Sequence, residues 1–186
     1  MLKMKDRDLR NMILKELYQK HEGDNNTKVI NEMGLINGAS RIDIAVVNGI
    51  LHGYELKSES DNLLRLPQQV QNYNRVFERM TIVVDRKYVD PVKLIVPDWW
   101  GITTIRKDKT GLIELRKGRK IKTQDEAALL NLLWKEEYNG LIDILGYPKS
   151  LKKIRKHELF EIILNDKRKS IIKKYIYDAL RSRNYS

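Results

Sequence analysis

Cysteine is absent from this 186-residue chain, which excludes disulfide frameworks and thiolate metal sites. The absence fits a reducing, cytoplasmic setting. No apolar run approaches the ~20 residues that a membrane-spanning helix needs, so no membrane partner is expected. The charged opening MLKMKDRDLR does not read as a secretory leader. Histidine is scarce, and His21, His52 and His157 show neither metal-ligand nor catalytic spacing. Ser58 and Ser60 lack a neighbouring base, and there is no glycine-rich phosphate loop. Internal repeats and low-complexity tracts are also missing.

Acid is in short supply relative to base. The chain has 36 Lys plus Arg against 25 Asp plus Glu, a formal charge of +11. That excess favours a polyanionic partner, DNA first and RNA second. It is concentrated late: Tyr147 to Ser186 holds 12 Lys plus Arg and four Asp plus Glu. This basic stretch is either a DNA-contacting tail or a solvated helical surface.

The most informative stretch is Arg41 to Lys57, RIDIAVVNGILHGYELK. Asn48-Gly49 between β-branched runs signals a hairpin, because both residues tolerate positive φ. Asp43 opens one strand. Glu55 and Lys57 end the other and share a face by strand alternation. A strict two-residue turn would place the two acids on opposite faces. For them to meet, the hairpin must absorb one residue, by a bulge at Gly53 or by a three-residue loop at 48–50.

Elsewhere, helical spacing of Leu9, Met12, Ile13 and Leu17 predicts a helix over 4–21, with Asp6 and Asp8 in its first turn. Lys28 to Leu35 reads as a strand. Pro67 starts a helix that runs to about Arg79, with Gln69 and Tyr73 on one stripe. The short apolar run Thr81 to Val84 predicts a strand buried on both faces. Val92 to Val96 fits a helix or a strand, and Trp99-Trp100 a packing anchor. Ile102 to Arg106 and Leu112 to Arg116 read as two further strands. Thr123 with Glu126 makes a capping box, with Ala127, Leu130, Leu133 and Trp134 as the apolar face of its helix. Later helices are expected at 138–146, 155–165 and 168–183. A boundary near 120 separates a mixed α/β core (1–120) from an all-helical, basic extension (121–186).

The order helix, strand, Asp-bearing strand, Glu-x-Lys strand, helix, strand resembles the PD-(D/E)XK nuclease superfamily. Ile42-Asp43 stands at the proline-aspartate position, without the proline, and Glu55-Leu56-Lys57 at the second element. Gln69 to Tyr73 resembles the Gln-x-x-x-Tyr motif of the RecB-like branch. Arg41-x-Asp43 after a strand carrying Glu32 is similar to small MmcB-related members. The resemblance covers residues 5–106. It implies a restriction-endonuclease-like core, a central mixed sheet flanked by helices, and a metal-dependent deoxyribonuclease acting in repair, recombination or phage DNA processing.

On that resemblance Asp43, Glu55 and the Leu56 carbonyl would hold Mg2+ or Mn2+, with Glu32 or, in rivalry, Glu16 as the extra acid. Lys57 would orient the attacking water or stabilise phosphate charge. Gln69 and Tyr73 would orient the lysine or touch the DNA backbone. Arg41, Arg65, Lys152, Lys153, Arg155 and Lys156 are candidate nucleic-acid contacts. Residues 134–164 faintly resemble a helix–extended-loop–helix DNA-binding element of the SAP type, with a helical lid packed through Leu141, Ile144 and Leu145 as the other reading. An idle nuclease-fold binding module and an RNA-processing nuclease are the alternatives to DNA cleavage. A homodimer stays open.

Overall fold

The computed structural model describes residues 5–185, and for Asn37 the backbone alone. Helix α1 (Asp6–Lys20) forms where Leu9, Ile13 and Leu17 recur at helical spacing. Met4, the expected first residue, lies outside the described residues. Strands β1 (Lys28–Leu35), β2 (Ser40–Val47) and β3 (Leu51–Lys57) follow. Then come α2 (Leu66–Val76), β4 (Arg79–Val84), α3 (Val89–Ile95), β5 (Gly101–Ile105) and β6 (Leu112–Arg116). The chain continues as α4 (Glu126–Leu130), α5 (Lys135–Ile144), α6 (Lys156–Leu164) and α7 (Lys169–Ser182).

The six strands form one mixed sheet in sequence order. β1, β2 and β3 are antiparallel neighbours, β3, β4 and β5 run parallel, and β6 returns antiparallel to β5. β4 is central, and after Arg79 its residues Met80 to Val84 are buried on both sides, as the lack of alternation in Ile82, Val83 and Val84 requires. One face of the sheet is covered by α1, through Leu9, Ile13 and Leu17 against Ile44, Tyr54 and Val83. On the other face lie α2 and the helices after residue 120. There Tyr73, Phe77 and Trp100 share one apolar cluster with Tyr138, Ile176 and Leu180. The helical C-terminal part therefore packs on the sheet rather than standing apart from it.

One local expectation is resolved and two change. Val92 to Val96 resolves as the end of helix α3 and the residue after it, with Val92 and Val96 buried. The cap before α4 is Asp125, which accepts from the Ala128 amide (3.0 Å), not Thr123. Tertiary contacts decide this, because Asp125 also receives the Arg75 guanidinium and donates its own amide to the Arg75 carbonyl. Trp134 and Ile144 are more than half exposed, while Leu141 and Leu145 are buried. Among the described residues no helix is long and apolar enough to cross a membrane.

Candidate functional site

The β2–β3 hairpin pairs Val47 with Leu51, leaving a three-residue loop of Asn48, Gly49 and Ile50. Gly49 takes φ +62°, a conformation that favours glycine. Of the two ways to bring the acids together, the loop is the one used. Gly53 is needed for packing: a Cβ there would lie 2.5 Å from the Met80 sulfur, so its absence lets β4 and Phe77 close on the hairpin. Extending the register places Asp43 across from Glu55.

Glu55 is 1% exposed and Lys57 6% exposed, so both belong to the interior. They point to the face covered by α2, where Gln69 and Tyr73, one turn apart, reach them. Glu55 Oε1 accepts from Lys57 Nζ (2.5 Å) and from Gln69 Nε2 (2.7 Å). The Tyr73 hydroxyl lies 2.8 Å from Glu55 Oε2 and 2.8 Å from the Arg41 carbonyl. Its single proton satisfies one of the two at a time. Burial, reinforced by the charge of Asp43, pushes the Glu55 carboxyl up to about 7 against the opposing pull of Lys57 and Tyr73. When protonated, Glu55 donates to Tyr73, whose own proton is then free for Arg41. Gln69 Oε1 is buried with no hydrogen-bond partner.

Asp43 sits at the edge of this network. Its Oδ2 accepts the Leu56 amide (2.8 Å), and its Oδ1 accepts Arg10 Nη2 of α1 (2.8 Å). Arg10 also donates to the Asp43 carbonyl (3.0 Å). Sequence reasoning missed Arg10, which lies 33 residues away. The only signal was a cation beside the buried stripe of α1. Glu32 lies opposite Asp43 in the β1–β2 register but is half exposed. It pairs with Arg41 (3.2 Å) and loosely with Arg10 (3.8 Å). Its φ of +52° is a strained conformation for a side chain of its length. Glu16, the rival acid, lines a different cavity with His52 and Arg79.

Asp43, Glu55 and Lys57 border a polar cleft of 490 Å³, with Arg41, Arg65 and Gln69 also in its wall. Arg41 and Arg65 are exposed at its mouth. The tail cations are not part of it. Lys152 pairs with Asp143 (2.5 Å), Lys156 lies over the Tyr138 ring (5.6 Å), and Lys153 and Arg155 are exposed on the helical part. Four carboxylates line the cleft: Asp43 and Glu55 across the hairpin, Asp6 beside Arg10 (3.5 Å), and Asp61, which accepts from the Ser58 amide (2.7 Å). Among the described residues, no group of three or more His, Asp or Glu side chains is placed to hold a metal ion. The Asp43 and Glu55 pair suits Mg2+ or Mn2+ only where phosphate oxygens and water complete the shell.

The cleft and the sheet define a polar site on a basic α/β chain, and comparison assigns the chain to a family. The model of the bacteriophage P4 protein cII family matches residues 2–186, and the chain belongs to that family. Protein cII of Enterobacteria phage P4 is 25% identical over 185 residues, covering 98% of this chain and 69% of that protein. A solved structure of a protein of unknown function from Silicibacter pomeroyi aligns with a TM-score of 0.40 and 17% identity. That alignment covers 57% of this chain and 66% of the other.

This membership corrects the assignment to the PD-(D/E)XK nucleases, and with it the expectation of a metal-dependent phosphodiester hydrolase. The geometry accounts for how the motif misled. An acid, an acid and a lysine at these spacings also build a closed internal network. Both oxygens of Glu55 are engaged by protein donors, Lys57 is neutralised at its side, and Glu32 turns outward to arginines rather than joining the pair.

Proposed function

We propose that this cII-family protein is a DNA-binding protein without cleavage activity, engaging the phosphodiester backbone at the cleft beside Asp43 and Glu55. One observation carries the reading. Two exposed arginines, Arg41 and Arg65, stand at the mouth of a polar cleft whose floor holds a buried Lys57 and a carboxyl poised near neutrality. Perturbed ionisable groups gathered in a cleft mark functional sites more often than they mark scaffold. A net charge of +11 supplies the long-range attraction.

In this reading Arg41 and Arg65 contact phosphates, and Gln69 offers a buried amide that can turn to either partner. The parallel β3–β4–β5 step beside an antiparallel hairpin supports reading the core as restriction-endonuclease-like in architecture, with the site turned to binding. Mg2+ or Mn2+ would be held by Asp43, Glu55 and the Leu56 carbonyl in place of the Arg10 and Lys57 contacts that these carboxylates now make, and would supply the positive charge that relieves their repulsion with DNA. The tail cations Lys153 and Arg155 are free to add weaker contacts.

The test is fluorescence anisotropy with a labelled duplex across a KCl series, with Mg2+ or with EDTA. We expect Mg2+ to tighten binding and Asp43→Asn to abolish that gain. Arg41→Gln with Arg65→Gln should reduce the slope of log K against log[salt] by about 1.8, from roughly 0.9 per phosphate contact. A wild-type protein that leaves the duplex unbound at low salt overturns the reading.

A further inference from the structure

The sequence RKGRKIK, residues 116–122, packs five cations into seven positions and links β6 to α4. In the fold these cations are sorted into two sets. Arg116 is spent internally, donating to the Trp100 carbonyl (2.7 Å) and the Pro97 carbonyl (3.1 Å). Lys120 turns to the buried Glu78 (3.6 Å). Lys117, Arg119 and Lys122 are exposed, and among the described residues their side chains make no hydrogen bond or ion pair.

The backbone beneath them is pinned. Arg119 donates its amide to Trp99 (2.8 Å), Ile121 to Glu78 (2.8 Å) and Asp125 to Arg75 (2.8 Å). Donation from residues 119 and 121 is the pattern of an extended segment, so Lys117 and Arg119 stand roughly 6.6 Å apart along it. Lys117 lies toward the α1 side of the sheet and Lys122 toward α4 and α7, so that the three cations span the sheet end. Acid is present nearby, but in part committed. Lys117 shares a cavity with Glu114, whereas Glu126 beside Lys122 is already paired with Lys169 (2.7 Å).

A solvated surface run needs no such arrangement. Fixing the backbone while leaving the charges unneutralised reduces the ordering cost of meeting a polyanion. We infer that Lys117, Arg119 and Lys122 form a second phosphate-contacting surface for DNA, separate from the cleft. The segment crosses the amino ends of β4 and β5, near Met80 and Gly101, whereas the cleft lies at the carboxyl end of β3. Six residues of strand put roughly 20 Å between them. The inference rests on the proposed DNA-binding reading and adds a surface to it.

The experiment is the same salt titration on the full chain, comparing wild type with the triple variant Lys117→Gln, Arg119→Gln, Lys122→Gln. A control of equal charge loss carries Arg7→Gln, Lys15→Gln and Lys107→Gln, all at exposed positions. Three lost contacts should flatten the salt slope by about 2.7, so that between 50 and 200 mM salt the variant loses about 40-fold less affinity than wild type. The control should keep the wild-type slope. A triple variant with the wild-type slope, while the Arg41 and Arg65 variant is flattened, overturns this surface alone. Equal flattening by the control overturns it too, because the effect would then be one of net charge. No binding by wild type overturns the DNA reading itself.

Discussion

Replacing Glu55 by glutamine separates the energetic cost of this buried carboxyl from the rest of the site. In the folded protein burial and the charge of Asp43 hold it near 7, against an ordinary value of 4.5. The folded state therefore binds more protons than the unfolded chain between about pH 4.5 and 7. Stability from this group falls as pH rises through that window and levels off above it. A rise of this size amounts to roughly 3 kcal/mol by about pH 8, a large share of a small domain's stability. His52 acts in the opposite sense: burial, with Arg79 and Lys20 nearby, holds it down to about 3, so it adds stability as pH rises toward 6.5. In wild type the two trends oppose each other between pH 4.5 and 6.5. Glu55→Gln removes one of them. The new amide can pair with Gln69 if Gln69 turns its unpartnered oxygen toward it. Urea denaturation at half-unit steps from about pH 4 to 8.5, in EDTA, is the assay. The difference in stability between variant and wild type should shift toward the variant by roughly 3 kcal/mol from about pH 4.5 to 8. A difference that stays constant with pH refutes the argument, because it would mean that Glu55 ionises at its ordinary value.

Glu78 makes the reverse case. Burial works to raise its pKa, but hydrogen bonds from Tyr177, Lys173 and the Leu51 amide outweigh it, so its stabilisation is present above about pH 4.5 and is lost as pH falls further. Glu78→Leu should cost about 2 to 4 kcal/mol in urea unfolding at about pH 7, mostly for the unpaired Leu51 amide and Tyr177 hydroxyl, and should leave a shallower acid limb; an unchanged acid limb would refute the assignment. At Glu32 the strain of φ +52° offsets glycine's extra chain entropy, so Glu32→Gly should fall within about 0.5 kcal/mol of wild type while Asn31→Gly costs about 1. Equal losses at both positions, read from thermal melts, would show that the backbone at Glu32 stores no strain.

The hairpin was legible because its physics is local. Asn48-Gly49 names the turn, alternation names the faces, and the need for Asp43 and Glu55 to meet narrows the loop to two choices. α2 was legible for the same reason, with Gln69 and Tyr73 one turn apart on the face that meets the sheet. Long-range partnerships were not legible. Nothing near Asp43 announces Arg10, and nothing near Glu78 announces Lys173 and Tyr177 almost a hundred residues later. The α4 cap failed because Thr123 and Asp125 are both good caps, and only the position of Arg75 chooses between them. The run 116–122 was passed over, because charge counting pointed to Tyr147–Ser186, and its division into committed and free cations needs the fold. The activity was misread because Asp43, Glu55 and Lys57 mark a place on a fold, and a place does not fix a chemistry.

The apolar cluster that begins with Ile30 is completed by Ile176 and Leu180 in α7. At synthesis rates of ~5 to 20 residues per second, roughly 8 to 30 s separate the emergence of these two ends from the ribosome. Throughout that interval the part of β2 that α7 covers lacks that helix, and the Glu78 carboxylate lacks Tyr177 and Lys173. The nascent chain is thus exposed to aggregation late rather than early, and chaperone dependence should track the time taken to reach α7 rather than the stability of the finished protein.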